Sequence, residues 1–257
     1  MLDCVVAEDE VLLRESLLAM LAAHADVLRV VAACEDGGAA LEAIAEHKPA
    51  IAFLDIRMPG LTGLEVAAAA IEASPGTQVV FVTAYDQYAI DAFEHGAVDY
   101  LLKPVAADRL AATVQRVQAR AAAGNADPAA FQALLRQLTT VLPTPPSSEP
   151  PLGWITASTG KETRLIMVED VAYFRAEHKY TTVVTAEGEA LLRKPIRELL
   201  AVLDPALFRQ VHRSTIVNLK AIASVVRDDD GRGHLKLRNR PETLIVSQPF
   251  MALFRSM

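Results

Sequence analysis

Short apolar runs that end in polar or turn residues recur through the first half of the chain. Five of these runs predict β-strands, at 3–7, 28–33, 50–54, 79–83 and 98–102. The segments between them have the three-to-four-residue spacing of helices and lie at about 10–24, 37–47, 62–73, 86–95 and 105–120. Because strands that alternate with helices form a parallel sheet covered on both faces, residues 1–120 are predicted to adopt a flavodoxin-like α/β fold with strand order 2-1-3-4-5.

The pattern changes after residue 120. Five prolines within residues 143–151 exclude a helix or a central strand there. Residues 121–151 are therefore predicted to form a linker, which includes a segment with helical spacing at 131–142. Residues 152–257 carry short runs that predict a mostly-β domain, with strands at 154–157, 163–166, 171–175, 180–185, 190–192, 216–217, 222–227, 234–238 and 243–246. Pro195 is expected to begin a short helix that runs through Leu203.

Composition limits the class of protein. A chain of 257 residues with 52% hydrophobic residues can form one or two ordinary cores. It has no uncharged apolar stretch of 18 residues, so no membrane span is predicted. The N-terminus lacks the basic and apolar regions of a secretory signal. The two cysteines, Cys4 and Cys34, lie in apolar runs and are expected to be buried thiols in a cytoplasmic protein.

Charge is distributed unevenly between the two halves. Residues 1–120 carry 18 acidic and 8 basic side chains, whereas residues 151–257 carry 12 acidic and 16 basic ones. An acidic first half joined to a basic second half favours a nucleic-acid partner for the second half, although a net charge of +4 there is modest.

The chemistry of the first half lies where its predicted strands end. Glu8-Asp9 follow the first strand, Asp55 the third, Thr83 ends the fourth and Lys103 follows the fifth. These side chains are expected to meet in one cleft, because the carboxyl ends of parallel strands share one edge of the sheet. Clustered carboxylates repel one another unless a cation neutralises them, and Mg²⁺ prefers oxygen ligands. The pattern therefore predicts magnesium-assisted phosphoryl transfer to an aspartate, with Asp55 as the nucleophile.

These residues closely resemble the receiver domain of bacterial two-component response regulators. The resemblance rests on Glu8-Asp9, the run from Leu54 to Gly60, Thr83-Ala84 and the run from Asp99 to Pro104. It implies a CheY-like fold in which a histidine kinase phosphorylates Asp55. The further roles implied by the resemblance are metal ligands, a phosphoryl-binding lysine and a switch pair. The ligands would be Asp9, Asp55 and the backbone carbonyl of Arg57, with Glu8 acting through water; Lys103 would bind the phosphoryl group, and Thr83 and Tyr100 would be the switch pair.

The second half has a stretch rich in cations and polar side chains, from Phe208 to Lys220. Arg209, Arg213 and Lys220 are of the type that contacts phosphates and base edges. This stretch and Glu177-His178-Lys179-Tyr180 resemble the LytTR (LytR/AlgR) DNA-binding domain, a ten-stranded β fold that inserts loops into successive major grooves. The candidate DNA contacts are His178, Lys179, Arg213, Asn218, Lys220 and Gln248. His212, Ser214 and Asn218 fit a hydrogen-bonded corner of the fold equally well.

The chain is thus predicted to be a transcription factor that dimerises when its receiver is phosphorylated and then binds a direct-repeat or paired promoter site. An enzyme that forms an aspartyl phosphate is one alternative, although such enzymes carry a second acid where this chain has Arg57. A signalling module whose basic domain binds protein or RNA is the other alternative. The predicted partners are a sensor histidine kinase, double-stranded DNA and a second copy of the chain.

Overall fold

The computed structural model describes residues 1–84, 99–123, 152–160, 162–177, 179–228 and 233–254. The chain divides into two compact units, Met1–Thr144 and Pro145–Met257. Most of the predicted linker, and the helix predicted at 86–95, lie outside the described residues. The domain boundaries at 120 and 151 therefore stay a prediction, and the last helix described in the first unit runs on to Ala123.

The first unit is built on a five-stranded parallel sheet. Its strands are β1 (Leu2–Ala7), β2 (Leu28–Cys34), β3 (Ile51–Asp55), β4 (Gln78–Thr83) and β5 (Asp99–Leu102). They lie in the order β2-β1-β3-β4-β5, so the predicted flavodoxin-like fold is confirmed. Every residue of β3 is buried, as expected of a central strand covered on both faces.

Four helices are described in this unit. They are α1 (Val11–Ala22), α2 (Gly37–His47), α3 (Gly63–Ala73) and α4 (Ala107–Ala123). Asp36 caps α2 by accepting a hydrogen bond from the backbone N–H of Ala39. Thr62 and Glu65 form a reciprocal capping box at the start of α3. Helices α1 and α4 close one face of the sheet, with a core that includes Leu17, Phe53 and Val114.

A glycine sets how closely α3 approaches the end of β3. A side chain at Gly63 would place its Cβ atom 2.1 Å from the carbonyl oxygen of Asp55. Since only glycine lacks that atom, Gly63 allows the backbone N–H of α3 to reach the carbonyl of Ile56 at 3.0 Å. The loop that carries Arg57 and Met58 is thereby held against the carboxyl end of the sheet.

The second unit contains ten strands among its described residues. They are β6 (Trp154–Thr159), β7 (Glu162–Met167), β8 (Val171–Glu177), β9 (Tyr180–Thr185), β10 (Gly188–Leu192), β11 (Phe208–His212), β12 (Thr215–Asn218), β13 (Ile222–Arg227), β14 (Gly233–Leu237) and β15 (Thr243–Val246). Seven form one sheet in the order β11-β12-β8-β9-β10-β6-β7, and three form another in the order β13-β14-β15. The mostly-β architecture is confirmed.

Alternating burial along the strands produces the core of this unit. On one face of the larger sheet, Phe174 packs against Phe208 with ring centroids 5.7 Å apart. The short helix α5 (Ile196–Val202) covers that face with Ile196 and Leu199. Strand β15 of the smaller sheet contacts β11 of the larger sheet. The final 3₁₀ helix, Gln248–Phe254, also contacts β11.

Strand β11 was not predicted from the sequence. The cations of the stretch from Phe208 to Lys220 favoured a DNA-contacting segment, whereas Phe208 and Gln210 at its start are buried in a strand; the burial of Val211 agrees with its expected role as an anchor to the core. The polar side chain of Gln210 hides the alternation that would have indicated a half-buried strand.

Candidate functional sites

The five side chains predicted to meet at the carboxyl end of the sheet form what we call the acidic cleft: Glu8, Asp9, Asp55, Thr83 and Lys103. Strand β1 pairs with β3, and β3 pairs with β4, so the residues at their ends become neighbours. One carboxylate oxygen each from Glu8, Asp9 and Asp55 lie within 4.8 Å of one another. Glu8 and Asp55 are almost completely buried, with 1% and 6% of their surfaces exposed.

Lys103 bridges two of these carboxylates. Its Nζ lies 2.7 Å from Glu8 Oε2 and 2.7 Å from Asp55 Oδ2. Because the Lys103 side chain is only 10% exposed, these contacts are shielded from solvent. The remaining oxygen of Asp55, Oδ1, accepts a hydrogen bond of 3.2 Å from the backbone N–H of Arg57.

The electrostatics of the acidic cleft show an excess of negative charge. Burial raises the pKa of Glu8, and the neighbouring Asp55 adds to the rise against the opposing effect of Lys103. Burial and Asp55 likewise raise the pKa of Asp9. Burial alone would lower the pKa of Lys103, but its hydrogen bonds to Asp55 and Glu8 outweigh that effect and the pKa is raised. One ammonium group thus leaves the three acids incompletely neutralised.

The predicted switch residues lie on two neighbouring strands, Thr83 on β4 and Tyr100 on β5. Thr83 is 2% exposed, and its backbone oxygen accepts a 2.8 Å hydrogen bond from the N–H of Lys103. Tyr100 is half-buried and pairs in register with Phe81, two residues before Thr83. The register therefore places Tyr100 and Thr83 on the same face of the sheet. The guanidinium of Arg109 lies 5.4 Å from the centre of the Tyr100 ring.

Arg14, which was not among the site residues predicted from the sequence, is a buried arginine next to the acidic cleft. Arg14 lies on α1 on the same side as the buried residues Leu17 and Leu21. Its guanidinium contacts the backbone of the Glu8-Asp9 loop. A cation at an apolar position of an amphipathic helix was the signal that could have revealed it.

The second unit brings three loops together at one end, which we call the loop end. They are the β8–β9 turn, the β11–β12 turn and the residues that follow β15. Backbone hydrogen bonds join the three loops, from Ala176 N–H to Ser214 O at 2.8 Å and from Ser247 N–H to Val211 O at 3.1 Å. Lys179, Arg213 and Gln248 all lie at the loop end and are exposed. His178 lies outside the described residues.

The β11–β12 turn is closed by a side-chain contact. His212 Nδ1 lies 2.8 Å from Ser214 Oγ and 3.2 Å from the backbone nitrogen of Ser214. Arg213, between these two residues, therefore sits at the tip of a corner closed by hydrogen bonds. Of the two interpretations of His212 and Ser214, the structure favours the hydrogen-bonded corner.

Asn218 and Lys220 lie far from the loop end. Asn218 ends β12, is 3% exposed, and donates a 2.9 Å hydrogen bond from Nδ2 to the backbone oxygen of Val171. Its Oδ1 accepts from the N–H of Lys220 at 3.0 Å. Both residues line a cavity of about 550 Å³ together with the β9–β10 turn, at the opposite end of the strands. The structure therefore does not bring them together with Lys179, Arg213 and Gln248.

Comparison with known proteins supports two domains. The family model for the response regulator receiver domain matches residues 4–115, and the model for the LytTr DNA-binding domain matches residues 161–257. An uncharacterized response regulatory protein of Vibrio cholerae is 43% identical over 235 residues, which cover 89% of this chain and 88% of the relative.

Two further relatives are similar along their length. The positive alginate biosynthesis regulatory protein of Pseudomonas aeruginosa is 35% identical over 98% of this chain and 96% of its own. The transcriptional regulatory protein BtsR of Escherichia coli K12 is 30% identical over 93% of this chain and 92% of its own. Within the described residues, every helix is too short or too polar to cross a membrane. The chain belongs to the response regulators that join a receiver domain to a LytTR DNA-binding domain.

Proposed function

We propose that Asp55 accepts a phosphoryl group from a histidine kinase and that the resulting acyl phosphate controls how the LytTR domain binds promoter DNA. The observation that carries the proposal is the convergence of the Glu8, Asp9 and Asp55 carboxylates with the Lys103 ammonium group. Phosphoryl transfer needs positioning and charge neutralisation more than proton transfer, and this set of groups provides both.

A magnesium ion fits the acidic cleft because its donors are oxygens and their charge is only partly balanced. Mg²⁺ is bound by one or two carboxylates together with waters and phosphate oxygens. Asp9, Asp55 and the backbone carbonyl of Arg57 would hold the ion, and Glu8 would act through water. When bound, the ion would neutralise charge that develops on the transferring phosphoryl group.

Residues of the chain itself would carry out the other parts of the phosphoryl transfer. A carboxylate oxygen of Asp55 forms a bond to phosphorus while the bond between phosphorus and the kinase histidine nitrogen breaks. Lys103, which pairs with Asp55 Oδ2, is placed to bind a phosphoryl oxygen. Burial of Glu8 and Asp55 limits the water that could compete with the transfer.

Two residues would carry the signal away from Asp55. Thr83 would move to donate a hydrogen bond to a phosphoryl oxygen, and Tyr100 would turn inward behind it. Their position on one face of neighbouring strands supports this coupling. The face formed by β4 and β5 would then change shape and pair two receivers. The residues expected from the sequence to complete this face, within 85–98, lie outside the described part of the chain.

For DNA, we propose that the loop end faces the duplex. Lys179, Arg213 and Gln248 are exposed there, and Arg213 and Gln248 can form paired hydrogen bonds with guanine and adenine respectively. His178 would join them in the first loop. The buried, hydrogen-bonded position of Asn218 supports a role in the fold instead, and Lys220 lies beside it.

Labelling with acetyl phosphate tests the first step, because it transfers a phosphoryl group without the kinase. The full chain should acquire one phosphoryl group in a magnesium-dependent reaction, detected by intact-mass spectrometry. Light scattering of the labelled chain should then show a doubled mass. An unmodified mass in the presence of Mg²⁺ would contradict phosphorylation, and a labelled monomer would contradict dimerisation alone. Steady turnover of a small phosphate ester would instead support the enzyme alternative.

A further inference from the structure

The guanidinium of Arg14 contacts backbone carbonyls of the acidic cleft and not the carboxylate oxygens of the cleft. Arg14 Nη1 donates a 2.7 Å hydrogen bond to the carbonyl oxygen of Glu8 and a longer one, of 3.5 Å, to that of Asp9. The residue is 9% exposed, so its guanidinium is held inside the fold. A charged group is buried at a cost unless it is paired and hydrogen-bonded, which makes these contacts strong constraints on geometry.

The other end of the guanidinium is anchored on a different strand. Arg14 Nη2 lies 3.1 Å from Glu35 Oε1, and Glu35 directly follows β2. A backbone hydrogen bond of 3.1 Å from the N–H of Glu8 to the carbonyl of Cys34 joins the same two strand ends. Arg14 therefore connects α1, the end of β1 and the end of β2.

The choice of acceptors distinguishes Arg14 from Lys103. Lys103 occupies carboxylate oxygens of Glu8 and Asp55, so it neutralises charge where a metal ion would also bind. Arg14 instead binds the carbonyls behind the side chains of Glu8 and Asp9. It can hold these two acids near Asp55 against their mutual repulsion without itself occupying their carboxylate oxygens.

We propose that Arg14, anchored on Glu35, is a positioning residue that orients the Glu8-Asp9 loop for a divalent cation. This inference rests on the metal site of the proposed function. Groups that orient metal ligands without touching the metal change its affinity by about 10–100-fold when they are replaced. The end of β2, which carries no predicted ligand, would thereby set the metal affinity of the acidic cleft.

The test is a titration of the metal-free full chain with Mn²⁺, in which the spectrum of the free ion is followed by electron paramagnetic resonance. Arg14→Met should weaken binding by about tenfold or more. Arg14→Lys keeps the positive charge but replaces the two nitrogens that contact Glu8 and Glu35 with one, so its affinity should fall between those of Arg14→Met and the wild type. Arg29→Met is the matched control, because Arg29 forms an exposed ion pair with Asp3 on the same sheet and should leave the affinity unchanged.

Glu35→Gln keeps the test decisive if Arg14→Met fails to fold. Glu35 is half-exposed, and the substitution removes only the charge of the anchor, so the fold should persist and the affinity should still fall. A second readout is the Mg²⁺ concentration that gives half-maximal labelling by acetyl phosphate. This concentration should rise in the variants while the rate at saturating Mg²⁺ recovers, a separation that general loss of structure would not produce.

The outcomes separate the two proposals. If the wild type fails to bind Mn²⁺, the proposed metal site is wrong, and the proposed role of Arg14 is then wrong as well. If the wild type binds but Glu35→Gln and the folded Arg14 variants bind equally well, the metal site stands and the positioning role is overturned.

Discussion

The acidic cleft and the loop end are held together by different kinds of contact. In the cleft, buried side chains contact one another directly, as Lys103 does with Glu8 and Asp55. At the loop end the candidate side chains are exposed, and backbone hydrogen bonds hold the loops that carry them. A small ion and a phosphoryl group require charged atoms arranged in advance, whereas a duplex is a large partner that exposed side chains can meet on binding. Substitutions should therefore affect the two regions differently.

The largest expected effect is loss of phosphorylation when Asp55 is replaced. Asp55→Asn removes the nucleophilic carboxylate while keeping its size, so labelling by acetyl phosphate should be abolished. Intact-mass spectrometry provides the measurement, and Asp3→Asn, near the start of β1 and away from the cleft, is the matched control. Labelling that persists in Asp55→Asn would show that another residue accepts the phosphoryl group.

At the loop end, Arg213→Ala should weaken specific DNA binding by about 1–3 kcal/mol if Arg213 reads a guanine. Titration of the cognate and a scrambled duplex at one salt concentration gives the comparison. A fall restricted to the cognate duplex supports base reading. An equal fall on both duplexes would reassign Arg213 to a phosphate contact.

Asn218→Ala should separate folding from DNA binding. It leaves the carbonyl of Val171 and the N–H of Lys220 without their side-chain partner, at a cost of about 1–3 kcal/mol of stability. Urea unfolding should detect this loss, while the folded variant should bind DNA as the wild type does. Lys220→Ala, in which the exposed side chain is removed, is the matched control for stability. Weakened DNA binding by folded Asn218→Ala would indicate that Asn218 contacts DNA, as the sequence predicted.

The charge excess of the acidic cleft should destabilise the metal-free fold as pH rises. Because burial raises the pKa of Glu8 and Asp9, the folded chain holds protons more tightly than the unfolded chain. Stability should therefore fall as pH rises above their ordinary pKa values of 4.5 and 3.8 toward the raised values. Lys103, whose pKa is raised, loses its contribution only at alkaline pH.

Asp9→Asn isolates part of this effect. It should raise the unfolding temperature of the metal-free chain at pH 7 by about 3 °C, which corresponds to roughly 1 kcal/mol for a domain of this size. Mg²⁺ should stabilise the wild type more than the variant. Scanning calorimetry at pH 5 and pH 7 measures both changes, and a variant less stable than the wild type at pH 7 would contradict the charge excess.

The smallest expected effect concerns the corner beside Arg213. Ser214→Ala removes the hydroxyl contact with His212, so specific DNA binding should weaken by about 1 kcal/mol or less. Ser224→Ala, on an exposed strand position, serves as the control. A loss as large as that of Arg213→Ala would indicate that Ser214 itself contacts DNA.

Local patterns were enough to predict most of the first unit. The apolar runs that end in Asp55 and Thr83 are continuous because their strands are covered on both faces, and this makes their ends visible in the sequence. The roles of Asn218 and β11 were harder to predict. Polar side chains inside the second unit are satisfied by distant backbone groups, such as Val171, and the sequence does not show such pairings.

The sequence by itself determined the two-part organisation, the strand order of the first unit and the identity of its acidic, hydroxyl and lysine groups, because periodicity and chain order control these features. Tertiary structure alone decided that Lys103 bridges Glu8 and Asp55, that Arg14 reaches across to Glu35, and that Asn218 faces away from Arg213. These contacts join residues far apart in the chain, and only the packing of strands and helices brings their atoms within hydrogen-bonding distance.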